Sequence, residues 1–94
     1  MVLEVAFIDV TAGAEQAFTA GVRQGRELVA DTPGFRSFRL TQGVETPTRF
    51  VLLVEWDSVE AHQSFRDSDR FGRWRELIGR HLAHPPQVEH FQDV

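Results

Sequence analysis

The sequence predicts an α+β fold of the ferredoxin-like, split βαβ type, in which a four-stranded antiparallel sheet carries helices on one face. Two observations predict it. In four segments the side chains divide between two faces at the period of two that strands impose, and two regions repeat apolar residues every three or four positions, as helices do. Their order along the chain is strand, helix, strand, strand, helix, strand.

The first and third predicted strands are apolar on both faces. They span residues 2–10 and 49–56, and the second of these gives the strongest strand signal in the chain. The other two strands, residues 35–42 and about 87–92, are less apolar. Two strands that are apolar on both sides predict a sheet with no wetted face.

The first helix is predicted over residues 14–30, where apolar and small residues form a stripe. Gly21 and Gly25 lie on this stripe, and we expect them to permit a close approach of the helix to the sheet. The pair Pro33-Gly34 combines a fixed φ with freedom for positive φ, which predicts the turn that follows.

The second helical region is predicted in two parts. Asp57 or Ser58 can cap the first part, with Glu60 in the position of a capping box. Ser68 is the expected cap of the second part, and two consecutive prolines at 85–86 end the region.

Composition restricts the class of protein. The 94 residues form one predicted domain, residues 1–94, and the net charge of −4 argues against a nucleic-acid partner. The longest apolar run is too short to cross a membrane, and no secretory signal is visible. The chain has no cysteine, which excludes disulfides and thiolate metal sites. We therefore expect a cytoplasmic protein.

The second face of the sheet needs a cover, because the helices can shield only one face. A homodimer formed through that face satisfies this need most simply, since a C₂ pairing buries the same patch on both copies. A different partner protein is the alternative.

The middle of the chain resembles the antibiotic biosynthesis monooxygenase family. The resemblance is carried by Val-Glu-Trp-Asp-Ser-Val-Glu-Ala at residues 54–61, followed by Phe65, Ser68 and Phe71, and by Pro-Gly-Phe at residues 33–35. It implies a dimeric α+β barrel with a pocket between sheet and helices. It also implies a cofactor-independent monooxygenase that acts on a small aromatic or quinol compound, without metal or other cofactor.

The resemblance does not extend to the polar residues of the best-understood relatives. Where haem-degrading relatives carry an asparagine, a tryptophan and a haem-ligating histidine, this chain has Ala6, Phe65 and Arg75. Where quinol-oxidising relatives carry two histidines, it has Phe65 and Arg70, and it contains no tyrosine at all. Haem degradation is therefore disfavoured. A non-catalytic dimeric barrel that binds or carries a hydrophobic small molecule is the alternative function.

The candidate substrate-binding residues are mostly aromatic, and flat apolar side chains suit an aromatic ligand. They are Ala6, Trp56, Phe65, Phe71, Trp74 and Arg75. Packing in an ordinary core would also explain the aromatic members, and a solvated helix position would explain Arg75. Arg75 could instead pair with an anionic or phenolate oxygen.

His62 and His81 are the candidate catalytic residues, because either could face inward from a helix and act as a general base near neutral pH. A surface position for His62, or a helix-end position for His81, would remove that role. His81 and His84 are three residues apart with no carboxylate at ligand spacing, so no metal site is expected.

Overall fold

The computed structural model describes all 94 residues and confirms the predicted α+β fold and element order. A short 3₁₀ turn, Gly79–His81, follows the last helix. The elements are β1 (Val2–Asp9), α1 (Glu15–Ala30), β2 (Phe35–Gln42), β3 (Arg49–Trp56), α2 (Val59–Arg66), α3 (Asp69–Ile78) and β4 (Gln87–Phe91). No helix combines the length and apolar character that crossing a membrane requires.

The four strands form one antiparallel sheet in the order β2-β3-β1-β4. The two doubly apolar strands, β1 and β3, therefore lie in the centre, as their composition requires. Their register places Glu4 opposite Val54 and Ala6 opposite Leu52 on the face that meets the helices. We call this the inner face. On the opposite, outer face, Val5 lies opposite Leu53.

The core lies between the inner face and the helices. Trp56 and Phe18 are 0% exposed, and the ring centroids of Phe18 and Phe50 are 4.8 Å apart in a tilted arrangement. Burying such large side chains contributes about 1.5–3 kcal/mol each relative to exposure. The inner sheet face and the helices are thus held together by one apolar cluster.

The two glycines of α1 permit a close approach, but to α3 and not to the sheet. A Cβ on Gly21 would lie 2.5 Å from the Leu77 carbonyl oxygen, and one on Gly25 would lie 2.8 Å from the Trp74 ring. The expectation that these two glycines permit close contact with the sheet is therefore wrong. The sequence pattern identifies a small-residue ridge but does not reveal which neighbour packs on it.

The turn and cap predictions are met in part. Gly34 has a φ of 92°, and a Cβ there would lie 2.6 Å from the Ala61 side chain, so the turn requires glycine. The Ser58 hydroxyl caps α2 by accepting from the Ala61 amide. Ser68 precedes α3, but its hydroxyl donates to the Phe65 carbonyl and does not cap the helix.

The outer face of the sheet has no helix over it. Phe7 is 45% exposed and Phe91 is 48% exposed, although both are large apolar side chains. Leu3, Val51 and Leu53 are half-buried on the same face. This continuous apolar surface is the feature that the sequence predicts from its doubly apolar strands.

Candidate active site

A cavity of about 580 Å³ opens between the inner face of the sheet and the helices α2 and α3. Ala6 and Ile8 of β1 and Leu52 of β3 form its sheet side. The volume lies in the range of small-molecule binding sites. The helices and the segment before β4 form the remaining walls, through Phe65, Phe71, Trp74, Ile78, Leu82, Pro85, Pro86 and Val88.

Most of the predicted binding residues lie on this cavity. Ala6, Phe65, Phe71, Trp74 and Arg75 all line it. Phe65 and Phe71 meet edge to face with ring centroids 5.5 Å apart, which fixes the orientation of this aromatic wall.

Trp56 and His81 do not line the cavity. Trp56 is completely buried behind the wall, where its ring stacks on His62 with centroids 5.3 Å apart. His81 belongs to the 3₁₀ turn, and its carbonyl accepts from the Thr11 amide at 2.9 Å. Of the two predicted catalytic histidines, the structure therefore brings only His62 to the cavity.

Glu4 contributes a buried carboxyl group to the cavity wall. It is only 7% exposed, and the Trp56 indole Nε1 donates to its Oε1 at 2.9 Å. Burial raises the pKa of the Glu4 carboxyl above its ordinary value of 4.5, while the Trp56 hydrogen bond and the Arg66 charge act in the opposite direction. A raised pKa makes this carboxylate a stronger base than an exposed glutamate.

His62 lies beside Glu4 and is 5% exposed. Its Nε2 is 3.3 Å from Glu4 Oε1. Burial, together with the nearby His90 and Arg66, lowers the pKa of the His62 imidazole from 6.5 to about 4. The ring is therefore neutral near pH 7, and its contact with Glu4 is not an ion pair at that pH.

The half-buried His90 of β4 extends this polar chain. Its Nε2 lies 2.8 Å from His62 Nδ1, so one of these nitrogens donates a hydrogen bond to the other. A neutral His62 with its proton on Nε2 faces Glu4 with a donor and offers Nδ1 as an acceptor to His90. Trp56, Glu4, His62 and His90 thus form one continuous polar chain, of which Glu4 and His62 reach the cavity wall.

Glu4 and His90 are not among the site residues predicted from the sequence. The period of two that places Ala6 and Ile8 on the inner face also places Glu4 there, so an acidic residue among inward apolar positions was the available signal. His90 falls on the inner face of β4 with Val88 by the same rule. Because β4 is short and weakly apolar, its period of two is a weak signal for the position of His90.

Three basic residues also line the cavity, and their surroundings differ. Arg66 ends α2, and Arg75 lies in α3 with its guanidinium 5.8 Å from the Phe71 ring centroid. His84 Nε2 lies 2.9 Å from the Asp9 carboxylate. No cluster of three or more histidine, aspartate or glutamate side chains has the geometry to hold a metal ion.

The fold and this cavity define an α+β domain with a ligand site between sheet and helices, and comparison with known proteins identifies its family. Residues 1–77 match the family model of the antibiotic biosynthesis monooxygenases. The chain therefore belongs to the antibiotic biosynthesis monooxygenase family. The family match supports monooxygenase activity in general terms.

Individual relatives agree with this assignment. A Bordetella bronchiseptica crystal structure named for the same family is 41% identical, with a TM-score of 0.96 over 99% of this chain and 96% of that one. The uncharacterized protein YczJ of Bacillus subtilis is 36% identical over the full length of both chains. SnoaB, a cofactor-independent oxygenase from Streptomyces nogalater, is 17% identical, with a TM-score of 0.87 over 99% of this chain and 92% of that one, which is a likeness of fold.

Proposed function

We propose that this protein is a cofactor-independent monooxygenase that acts on a small hydroxylated aromatic or quinol compound in the cavity. The observation that carries the proposal is the buried Glu4–His62 pair, which faces a cavity with aromatic walls. The fold shared with SnoaB, a cofactor-independent oxygenase, supports the same reaction class.

The walls supply the binding surface for a flat ligand. Phe65, Phe71 and Trp74 present aromatic rings to the cavity. Trp74 is held by an edge-to-face contact with Phe38 at 6.0 Å between centroids, and Phe71 by its contact with Phe65. Rings fixed in this way lose little freedom when a ligand binds, which favours affinity.

The proposed chemistry starts with removal of a proton from a ring hydroxyl. The resulting anion passes an electron to O₂, and the two radicals combine at a ring carbon. A dihydroxyarene and O₂ then give a hydroxyquinone and water, so one oxygen atom enters the ring and the other leaves as water. The substrate provides all four electrons that O₂ accepts, and no external reductant is required.

Glu4 is the proposed base in this reaction, and His62 positions it. Burial raises the pKa of the Glu4 carboxyl and lowers that of His62 to about 4, so Glu4 is the better proton acceptor of the two. His62 and the Trp56 indole hold the carboxylate from two sides. Trp56 thus acts through Glu4 and not as a wall of the site.

A non-catalytic carrier of a hydrophobic small molecule is the second candidate. The observation that favours it is the complete absence of asparagine and tyrosine from the chain. These residues supply polar contacts in the sites of well-understood relatives. The carrier predicts tight binding of an aromatic ligand without oxygen consumption.

We also propose that the protein works as a homodimer formed through the outer face. Phe7 and Phe91 expose apolar surface there, beside the half-buried Leu53. Contiguous apolar patches of this kind mark protein interfaces. A second copy presents the same patch, so a C₂ pairing covers both faces at once.

Oxygen uptake with a panel of dihydroxynaphthalenes tests the proposed reaction. Glu4→Gln keeps an acceptor for the Trp56 indole but removes the base, and we expect turnover to fall by about 10²- to 10⁴-fold. His62→Gln should also lower turnover, because the carboxylate loses its neighbour. His81→Gln is the matched control outside the cavity and should leave turnover unchanged.

Two outcomes would contradict the proposal. Turnover that survives both Glu4→Gln and His62→Gln would remove the pair from the reaction. Stoichiometric binding of the arene with no oxygen uptake by the unmodified protein would establish the carrier instead.

A further inference from the structure

We propose that the cavity selects aromatic acids, binding a ligand carboxylate at Arg66 and Arg75 while a ring hydroxyl reaches Glu4 and His62. The inference rests on the proposed function, because it specifies the substrate class of the same site. It comes from the distribution of charge around the cavity.

Two of the basic groups on the cavity wall are free to bind an anion. Arg66 and Arg75 both line the cavity and both are exposed. Neither takes part in any ion pair or side-chain hydrogen bond of the chain. His84, the third basic residue on the wall, is already paired with Asp9. The two guanidiniums therefore retain all their donors for a ligand.

The cavity wall carries a single acidic group. Glu4 is the only acidic residue on the wall, and it is buried while the two arginines are exposed. The cavity thus has exposed cationic groups as well as a buried polar pair in its wall. Apolar and aromatic side chains form most of the remaining lining. A ligand that matches this surface carries an anionic group for the arginines and a neutral donor for the buried pair.

The two arginines are placed so that their charge acts on a ligand in the cavity. The Arg75 guanidinium lies 5.8 Å from the Phe71 ring centroid, a cation–π contact that holds it beside the aromatic wall. The charge of Arg66 reaches into the site, where it lowers the pKa of both Glu4 and His62. The whole chain has a net charge of −4, so attraction of an anion must come from this local pair.

The same surface specifies a carboxylate better than a simple hydroxyl. Guanidinium groups bind planar carboxylates through paired, charge-assisted hydrogen bonds. A neutral ester of the same ring system keeps the stacking contacts but loses the negative charge. The comparison of an acid with its ester therefore isolates the contribution of the two arginines.

The experiment uses calorimetric titration of the full-length protein with two probes. One is a hydroxynaphthoic acid, and the other is its methyl ester. We expect the acid to bind about tenfold more tightly than the ester. The difference should shrink at high salt, because both arginines are exposed.

Variants assign the preference to the two side chains. Arg66→Gln combined with Arg75→Gln should abolish the preference, so that the acid binds no more tightly than the ester. Arg73→Gln, which removes an exposed arginine of α3 that does not line the cavity, is the matched control and should retain the preference. All three positions are exposed, so the substitutions leave the core intact.

The outcomes separate this inference from the proposed function. Equal affinity for acid and ester would overturn the inference and leave an aromatic-binding site in place. A preference that falls equally in the Arg73→Gln control would also overturn it, since net charge alone would then explain the effect. Failure of both probes to bind would contradict the aromatic site and the inference together.

Discussion

Glu4 and His62 are an unusual pair to bury, because each loses hydration that its charged form needs. The structure reduces this cost with hydrogen-bonding partners on both sides, namely the Trp56 indole and the His90 imidazole. Burial also shifts both groups towards their uncharged forms. Shifted ionisable groups beside a cavity are typical of functional sites.

The stability of the protein should depend on pH through His62. Its pKa is about 4 in the folded state against an ordinary 6.5, so between these values the unfolded chain binds a proton that the folded chain does not. Acidification through this window therefore destabilises the fold, by up to about 3 kcal/mol. Urea unfolding at a series of pH values should show a smaller acid-induced loss for His62→Gln than for the unmodified protein.

The Glu4 carboxyl makes the stability depend on pH in the opposite direction, so the contributions of Glu4 and His62 can be measured separately. Its raised pKa means that its contribution to stability is present below 4.5 and is lost as the pH rises through the folded-state value. Glu4→Gln should remove this loss. If the stability of the unmodified protein, of His62→Gln and of Glu4→Gln changed with pH in parallel, neither group would change its pKa on folding.

At the residue scale, the sequence predicts the apolar part of the site better than its polar part. Phe65, Phe71 and Trp74 follow from helical periodicity, because the inward stripe of a helix is readable from its spacing. The partners of His62 are not readable in this way. Glu4 and His90 come from strands 28 or more residues away from the histidine, and only the sheet register brings them to it.

Helix α1 packs closely against α3 at its two glycines. Gly21 lies against the Leu77 carbonyl, and a backbone atom cannot move aside as a flexible side chain can. The sequence predicts the helices and strands themselves because each has its own periodic pattern. It does not predict this helix pair, since a ridge of small residues fits a helix as well as a sheet.

Gly21→Ala should destabilise the protein although alanine favours helix formation. The gain in helix propensity is about 1 kcal/mol, whereas overpacking costs typically 1–3 kcal/mol. Because the obstacle is backbone, we expect a net loss of about 1–2 kcal/mol in the free energy of unfolding, measured by urea denaturation.

Gly72→Ala is the matched control in α3. A Cβ at Gly72 would meet nothing within 4 Å, so alanine should stabilise the protein by up to about 1 kcal/mol. Equal effects of the two substitutions would contradict the close α1–α3 contact.

On the scale of the whole molecule, the sheet is covered on one face only. The doubly apolar β1 and β3 predict an outer face that needs a cover, and the structure places Phe7 and Phe91 on it with nearly half of each side chain exposed. The helices are all on the inner face, so this cover must come from outside the chain. The proposed homodimer stays a prediction.

Phe7→Glu should convert the proposed dimer into monomers, because it places two charges at the centre of the paired faces. Light scattering after size exclusion should then give about twice the chain mass of 10.7 kDa for the unmodified protein and the single mass for the variant. Val44→Glu, at a turn position that is 88% exposed, is the control and should stay dimeric. A stable monomer of the unmodified protein at high concentration would remove the dimer.

A crystal structure of the protein with a dihydroxynaphthalene bound under anaerobic conditions tests the proposed role of the Glu4–His62 pair. We expect the ring to lie against Phe71 and Trp74 and one hydroxyl to lie within hydrogen-bonding distance of the Glu4 carboxylate. A ligand bound outside the cavity, or inside it with both hydroxyls turned away from Glu4 and His62, would contradict the account.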